Sequence, residues 1–281
     1  MECNLIKHRK ISRNITGDFC TYVMFVYNTK NIEVMSMNNK IKITSFTLHI
    51  LAMVFMLCDH LWATIIPGNE WLTCIGRIAF PVFAFMIVEG YFHTKDFKKY
   101  MKRLLIFALI SEIPFNLLNS GGVFYPLHQN VLWTFLISLL LIHWNEKAKS
   151  KNKVWSRIWV AAVSLLIATV IGLLGMVDYY HYGIFMVLTF YFFRGKKWWN
   201  YLCQFLLMYY INIEMMGGLV YEFEMFGKMI VLHQQGLALL SLIPIWLYNG
   251  EQGFYNKTIK NVYYWFYPAH ILVLALIGMI F

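Results

Sequence analysis

The sequence predicts an all-α, polytopic transmembrane helix bundle of about nine spans, with its N-terminus on the cytoplasmic side. Three observations carry that expectation. The 281-residue chain is 59% hydrophobic and 14% charged, where a soluble domain carries roughly a quarter charged residues. Apolar blocks close to the ~20 residues that cross a bilayer recur from residue 45 onward. The links between these blocks alternate in basic content, as loops sorted by the positive-inside rule do.

Residues 1–44 are mixed, polar and basic, with Lys7, Arg9, Lys10, Arg13, Lys30, Lys40 and Lys42. They read as an extension preceding a membrane domain over 45–281. Their apolar run at 22–27 is too short for a secretory signal core. Met35 and Met37 stand just before the first long block, so a start there is an alternative reading. Spans are then expected at 45–66, 71–92, 101–118, 127–144, 155–177, 179–193, 198–215, 229–248 and 262–281, the sixth being short.

Orientation follows from the links. The basic N-terminal segment is followed by a link, 67–70, without Lys or Arg, and then by Lys95, Lys98, Lys99, Lys102 and Arg103. Residues 119–125 lack basic side chains; Lys147, Lys149, Lys151, Lys153 and Arg157 come next. The Asp178 region has none, and Arg194, Lys196 and Lys197 follow it. The link at 213–228 is acidic, with Glu214, Glu222 and Glu224 against Lys228, and the last link carries Lys257 and Lys260. This alternation predicts a multi-pass protein of the cytoplasmic (inner) membrane, solvated by lipid. It also accounts for the formal net charge of +10 without nucleic acid as a partner. The five cysteines, Cys3, Cys20, Cys58, Cys74 and Cys203, form neither a CxxC pair nor a zinc spacing, so neither a metal nor a disulfide framework is indicated.

Ionisable groups inside apolar blocks are costly and mark functional candidates. Asp59 and His60 fall toward the outer end of the first span. Arg77 lies near the outer end of the second, with Glu89 and His93 near its inner end. Glu112 is in the third, Asp178, His181 and Tyr182 at the outer edge of the sixth, His233 near the outer end of the eighth, and His270 in the ninth. Glu89 and His93, four apart, share a helix face. Pro81 predicts a kink. Asp59 and His60 diverge by about 100° around the helix, so only one of them points straight at the bundle centre. Each candidate has a plainer alternative. Asp59 and Arg77 form an ion pair of purely structural use, Glu89, His93 and His49 snorkel to the inner headgroups, His128, His143 and His181 sit at the interface, and His60 packs. No GxxxxGK[ST], HExxH or GxSxG motif is present. Taken alone, these residues describe a polar cavity between helices and name no reaction.

Specific blocks go further. Residues 53–60 read MVFMLCDH, and Gly76-Arg77-Ile78-Ala79-Phe80-Pro81-Val82-Phe83-Ala84-Phe85 follows, then Val88-Glu89-Gly90-Tyr91 and His93-Thr94. Downstream come YMKRLLIFALISEIPF at 100–115, Gln129-Asn130-Val131-Leu132, Asp178 through Gly183, and Tyr267-Pro268-Ala269-His270. In this order and over roughly 44–281, the chain resembles the TraX family, named for a conjugation protein that acetylates the N-terminus of F pilin. The family tends to a basic residue at position 49, where this chain has His49.

The resemblance implies a membrane-embedded acetyltransferase using a cytoplasmic acyl-CoA, with acetyl-CoA as donor substrate, no metal, and an acceptor peptide or glycan left open. Acyl transfer needs a base, a stabiliser for the carbonyl oxygen and exclusion of water. His60 is the expected base, with Asp59 or a neighbouring helix holding its ring. Arg77 is expected to stabilise negative charge or pair with Asp59. Glu89, His93, Asp178 and His270 are the remaining substrate- or donor-binding candidates, with the basic inner links offered to phosphates. Direct transfer and an acetyl-histidine route both remain open. Two other classes compete. One is a proton-coupled transporter or permease, which the odd number of spans and the lack of a repeat disfavour. The other is a non-catalytic scaffold whose polar groups glue helices together.

Overall fold

The computed structural model describes residues 42–150, 154–225 and 227–280. The extension expected over 1–44 lies almost wholly outside them. The first helix, α1 (Ser45–Thr64), opens where the Thr47 amide donates to the Thr44 hydroxyl, satisfying one of the unpaired amides of a helix start. Next come α2 (Glu70–Gly76) and α3 (Ala79–His93), which together form the second expected span. Proline has no amide to bond the carbonyl four residues earlier. For Pro81 that carbonyl belongs to Arg77, where the segment breaks into a turn. The long α4 (Phe97–Ser120) is capped by Asp96, whose carboxylate accepts the Lys99 amide at 3.0 Å, and it ends at Gly121 with φ +70.

Four more helices follow: α5 (Val131–Ser150), α6 (Val154–Leu174), α7 (Tyr180–Phe192) and α8 (Trp198–Tyr209). The last continues through a π-helical turn, Tyr210–Met215. After a short α9 (Leu242–Trp246), α10 (Lys257–Gly278) begins at Asn256, whose side chain accepts the Ile259 amide at 2.8 Å. This helix starts five residues before the ninth expected span.

The eighth expected span, 229–248, is not a continuous helix, and the fold is nearly rather than wholly all-α. Strands β1 (Val220–Met225) and β2 (Lys228–His233) form an antiparallel hairpin, with Val220 opposite His233 and Met225 opposite Lys228. The acidic and apolar residues of β1 alternate with a period of two, the period of a strand, and Gly227 supplies φ +74 at the turn. A 3-10 helix, Gln234–Ser241, then leads into α9. At ~2.0 Å per 3-10 residue and ~1.5 Å per α residue, the stretch from Gln234 to Trp246 spans only about 24 Å.

Among the described residues four segments are long and apolar enough to cross a membrane: Ser45–Thr64, Glu70–His93, Val154–Leu174 and Lys257–Gly278. The 13-residue α7 packs against α3, α5, α6 and α8, and Ile184, Met186, Val187, Leu188 and Phe190 are almost fully buried. A short apolar helix enclosed by protein does not have to match the bilayer, because it touches other helices instead. Gly172 of α6 allows that closeness, since a Cβ there would strike the backbone of His181 in α7.

Polar side chains tie the bundle across its helices. The Asn145 amide donates to the Ser164 hydroxyl at 2.7 Å between α5 and α6, and Trp246 Nε1 donates to Gln204 at 2.8 Å between α9 and α8. Such interhelical bonds contribute about 1–2 kcal/mol at most. On the far side α10 packs against α4 and α1, while α1 lies against α2 and α3. The start of α1 is held by the loop before α10, through the Ser45 amide to the Glu251 carbonyl at 2.9 Å and the Phe46 amide to Gln252 at 3.0 Å.

Candidate active site

Two cavities lie along the face where α1, α3, α4 and α10 converge. The one bearing Asp59, His60, Arg77 and Asp178 has a volume of about 520 Å³, within the size range of small-molecule sites.

Asp59 and Arg77 form an ion pair there, and the Thr73 hydroxyl donates to the same Asp59 oxygen at 2.7 Å. Arg77 also donates from Nε to the Thr73 carbonyl at 3.3 Å and from Nη2 to the Thr73 hydroxyl at 2.9 Å. These bonds immobilise the guanidinium and occupy Nε and Nη2, leaving Nη1 without a protein acceptor among the described residues. Gly76 makes the arrangement possible, because a Cβ at that position would collide with the Asp59 side chain. Asp59 is therefore committed to Arg77 and does not hold the ring of its neighbour.

That task falls to His270, on α10. His60 Nδ1 lies 2.7 Å from His270 Nε2, with the rings stacked at 14° and centroids 5.0 Å apart. His270 Nδ1 lies 2.6 Å from the Phe266 carbonyl. A carbonyl only accepts, so His270 Nδ1 carries a proton. In the neutral pair His270 Nε2 is then the acceptor and His60 Nδ1 the donor. The remaining lone pair sits on His60 Nε2, and His60 lines the cavity. A fixed tautomer with an available ring nitrogen is the arrangement a general base requires.

Asp178 closes the opposite wall. His128 Nε2 stands 3.5 Å from its carboxylate. The backbone forces the two together: the Gln129 amide donates to the Met176 carbonyl at 2.8 Å, and the Asp178 amide to the Gln129 carbonyl at 2.9 Å. The Thr134 hydroxyl donates to the Asp178 carbonyl at 2.6 Å. Met176, Tyr179 and Tyr180 hold φ +47, +59 and +46, conformations that cost on the order of 1–3 kcal/mol each for residues with a side chain. Packing repays part of this, for the Tyr179 ring stacks on Phe80 at 4.1 Å. A strained segment held at a cavity wall is a recurrent property of functional sites.

The second cavity, about 500 Å³, lies at the other end and contains Glu89 and His93. These two candidates are thus separate from Asp59, His60 and Arg77. Glu89 is gripped by Arg194, at 2.6 Å from Nε and 3.2 Å from Nη2. His93 is exposed and donates from Nδ1 to the Glu89 carbonyl at 2.8 Å. Met56, Phe83, Val131, Phe135 and Tyr267 line both cavities and form the wall between them.

Several participants escaped the sequence reading. His128 read as interfacial because it stands at a helix start, and only the backbone bridge from Gln129 to Met176 and Asp178 reveals its partner. Thr73 and Tyr179 carried no signal, being ordinary residues in apolar blocks. Glu112 was noted without a role. Its carboxylate accepts the Trp133 indole at 2.7 Å, the Asn130 backbone amide at 3.2 Å and the Asn130 side-chain amide at 2.5 Å, and so anchors the start of α5. Among the described residues no group of three or more His, Cys, Asp or Glu could hold a metal ion.

Comparison with known proteins places this geometry in context. A family model described as TraX protein matches residues 45–278, which contain both cavities. A protein of Dichelobacter nodosus, named probable fimbrial assembly protein FimC, serogroup H1, is 26% identical over 258 residues, covering 85% of this chain and 97% of the relative. No solved structure matches.

Proposed function

The chain belongs to the TraX family, and from that premise we propose that it is an integral membrane acetyltransferase. It moves an acetyl group from a cytoplasmic acyl-CoA to an amine or hydroxyl acceptor. Its setting is the cytoplasmic membrane, with the N-terminus inside and about nine crossings. The short α7 crosses within protein, where shortness is tolerated. The name of the Dichelobacter relative supports an acceptor among the proteins of surface-fibre assembly.

The observation that carries the reading is the His60–His270 pair, with His60 at the wall of the cavity that also holds Arg77. His60 Nε2 takes the proton of the acceptor as its nitrogen or oxygen attacks the thioester carbonyl. The new C–N or C–O bond forms, the C–S bond breaks, and the thiolate leaves with the proton that His60 had taken. Charge on the carbonyl oxygen falls to Arg77, whose Nη1 has no protein acceptor among the described residues and whose orientation is set by Asp59 and Thr73. Preorganised donors of this kind are among the largest contributors to acyl-transfer rates. Phe80, Phe83, Phe115 and Phe135 line the same cavity and keep bulk water from the thioester.

The test is transfer of labelled acetyl from acetyl-CoA by the purified protein in proteoliposomes, with envelope protein as acceptor. His60→Ala is expected to lower turnover by about 10²–10⁴-fold, the usual range for a general base, while still inserting in the membrane. Unchanged turnover in that variant removes His60 from the role. An absence of labelled product with wild-type protein and whole envelope fractions leaves the polar cavity to transport.

A further inference from the structure

The second cavity carries chemistry that the acyl-transfer step does not use. Its walls are rich in rings, with Phe46, Tyr100, Phe107, Tyr255, Tyr263 and Tyr264. His49 stacks on Tyr263 at 4.1 Å and 10°. Two cations, Arg103 and Lys260, line it, and neither has a carboxylate within ion-pair distance among the described residues. The Arg103 guanidinium sits 5.7 Å over the Tyr264 ring, and its Nε is buried without a hydrogen-bond acceptor. A buried charged donor left unpaired is costly, so the site is incomplete as it stands. Glu89, the one carboxylate in the wall, is neutralised by Arg194. The cavity is therefore an apolar, aromatic slot with two unspent positive charges.

We infer that this cavity binds the nucleotide-bearing end of a phosphorylated thioester donor, with Arg103 and Lys260 on its phosphates. We further infer that the wall shared by the two cavities is the passage through which the acyl end reaches His60. The inference rests on the acetyltransferase reading and adds to it a donor site, its two anion-holding residues and a selectivity element. Stacking rings suit a purine face, and unpaired Arg and Lys suit phosphate oxygens. Both cations stand at the basic ends of their helices, Arg103 after Lys98, Lys99 and Lys102 on α4 and Lys260 after Lys257 on α10. That is the end facing the cytoplasm, where a soluble phosphorylated donor is found. The two cavities share the side chains of Met56, Phe83, Val131, Phe135 and Tyr267 in their walls. An arm slender enough to pass between them delivers a small acyl group, and their bulk sets the size that passes.

Binding of free CoA to the purified full-length chain in detergent, followed by calorimetry and by thermal stabilisation, tests the donor site. Arg103→Gln and Lys260→Gln are each expected to weaken CoA binding about tenfold, as loss of one charge-assisted contact does, and the double variant about a hundredfold. His60→Ala leaves it unchanged. Pantetheine, which lacks the nucleotide, is expected to bind weakly and with equal affinity to wild type and both variants. Equal CoA affinity in wild type and the double variant overturns the site. If acetyl transfer nonetheless proceeds with an unchanged KM for acetyl-CoA, the enzyme reading stands and only the donor site falls. If no transfer occurs in wild type, the reading itself falls. For the passage, Met56→Ala and Phe83→Ala are expected to raise butyryl over acetyl transfer at least several-fold. An unaltered ratio in both overturns the wall's role.

Discussion

His60 on α1 and His270 on α10 share a single hydrogen bond of 2.7 Å across 210 residues of sequence, and the Phe266 carbonyl fixes its direction. The pair ties His270 to the site although only Tyr267 of α10 lines the cavity itself. Under the proposed mechanism His270 is a positioning residue, whose loss acts through the tautomer and orientation of His60.

His270→Leu is accordingly expected to lower kcat by roughly 10–100-fold, below the loss for the base itself, with little change in KM for either substrate. Removing the acceptor for His60 Nδ1 frees the ring to take the other tautomer, so a share of molecules presents a protonated Nε2 to the acceptor. His270→Gln, whose carbonyl can still accept from His60, is expected to recover part of the rate. Steady-state kinetics on both variants, with the bell of rate against pH, distinguishes this from mere loss of packing. Equal defects in Leu and Gln would point to packing.

Gly76→Ala tests the clamp on Arg77. An added Cβ meets the Asp59 side chain, which cannot retreat without releasing the guanidinium. Overpacking of this kind costs about 1–3 kcal/mol. The expected result is a lower Tm in detergent together with a fall in kcat, since Arg77 loses its fixed aim. Asp59→Asn is expected to lower kcat while leaving the backbone fit intact.

The Glu89–Arg194 pair behaves differently. Glu89 and Arg194 bridge the ends of α3 and α7, but the arginine is 39% exposed, so solvent screens the contact. Glu89→Gln is expected to cost about 1 kcal/mol or less and to leave the chemical step unaltered. A loss of kcat in that variant comparable to that of His60→Ala would place Glu89 in the reaction.

Outside the membrane, Asp96 provides a pH-dependent test. The Lys99 amide, then the Lys99 side chain, hold its carboxyl below the usual range. A depressed folded pKa stabilises above the unfolded value of about 3.9 and loses that contribution as pH falls through the folded value. The difference in α4 protection between wild type and Asp96→Ala, read by limited proteolysis, is therefore expected near neutral pH and expected to vanish in acid.

The helices were legible because bilayer length and loop charge are one-dimensional signals. Six of the nine expected blocks coincide with helical segments to within four residues at either end; the fourth, expected at 127–144, is shifted to Val131–Ser150, and the ninth, expected at 262–281, to Lys257–Gly278. The eighth failed because its first residues, 229–233, belong to β2, which pairs with β1 in the preceding link, where Glu222 and Glu224 alternate with apolar neighbours as in a strand. The site was partly legible for a related reason. Burying a charge is expensive, so Asp59, Arg77 and Asp178 stood out. What the sequence could not supply was pairing: Asp59 turns away from His60, His270 takes its place, and Glu89 belongs to the other cavity. Adjacent residues on a helix point in different directions, and contacts between α1 and α10 have no local signature.

Glu112 provides the strongest stability test, because its carboxylate serves three donors at once. The Asn130 backbone amide, the Asn130 side chain and the Trp133 indole all converge on one oxygen. Glu112→Gln keeps a carbonyl oxygen in place and is expected to be tolerated, with a modest loss from weaker, uncharged bonds. Glu112→Ala leaves the donors unsatisfied at about 1–3 kcal/mol each when buried, enough to threaten the start of α5. The effect is expected to spread further. Asn130 follows Gln129, whose backbone bridges to Met176 and Asp178 and so sets His128 beside Asp178. Glu112→Ala is thus expected to abolish activity although the side chain lines neither cavity. Thermal stability and turnover measured on the same preparations check this. If Glu112→Gln were as damaged as Glu112→Ala in stability, the charge rather than the acceptor geometry would be what holds α5.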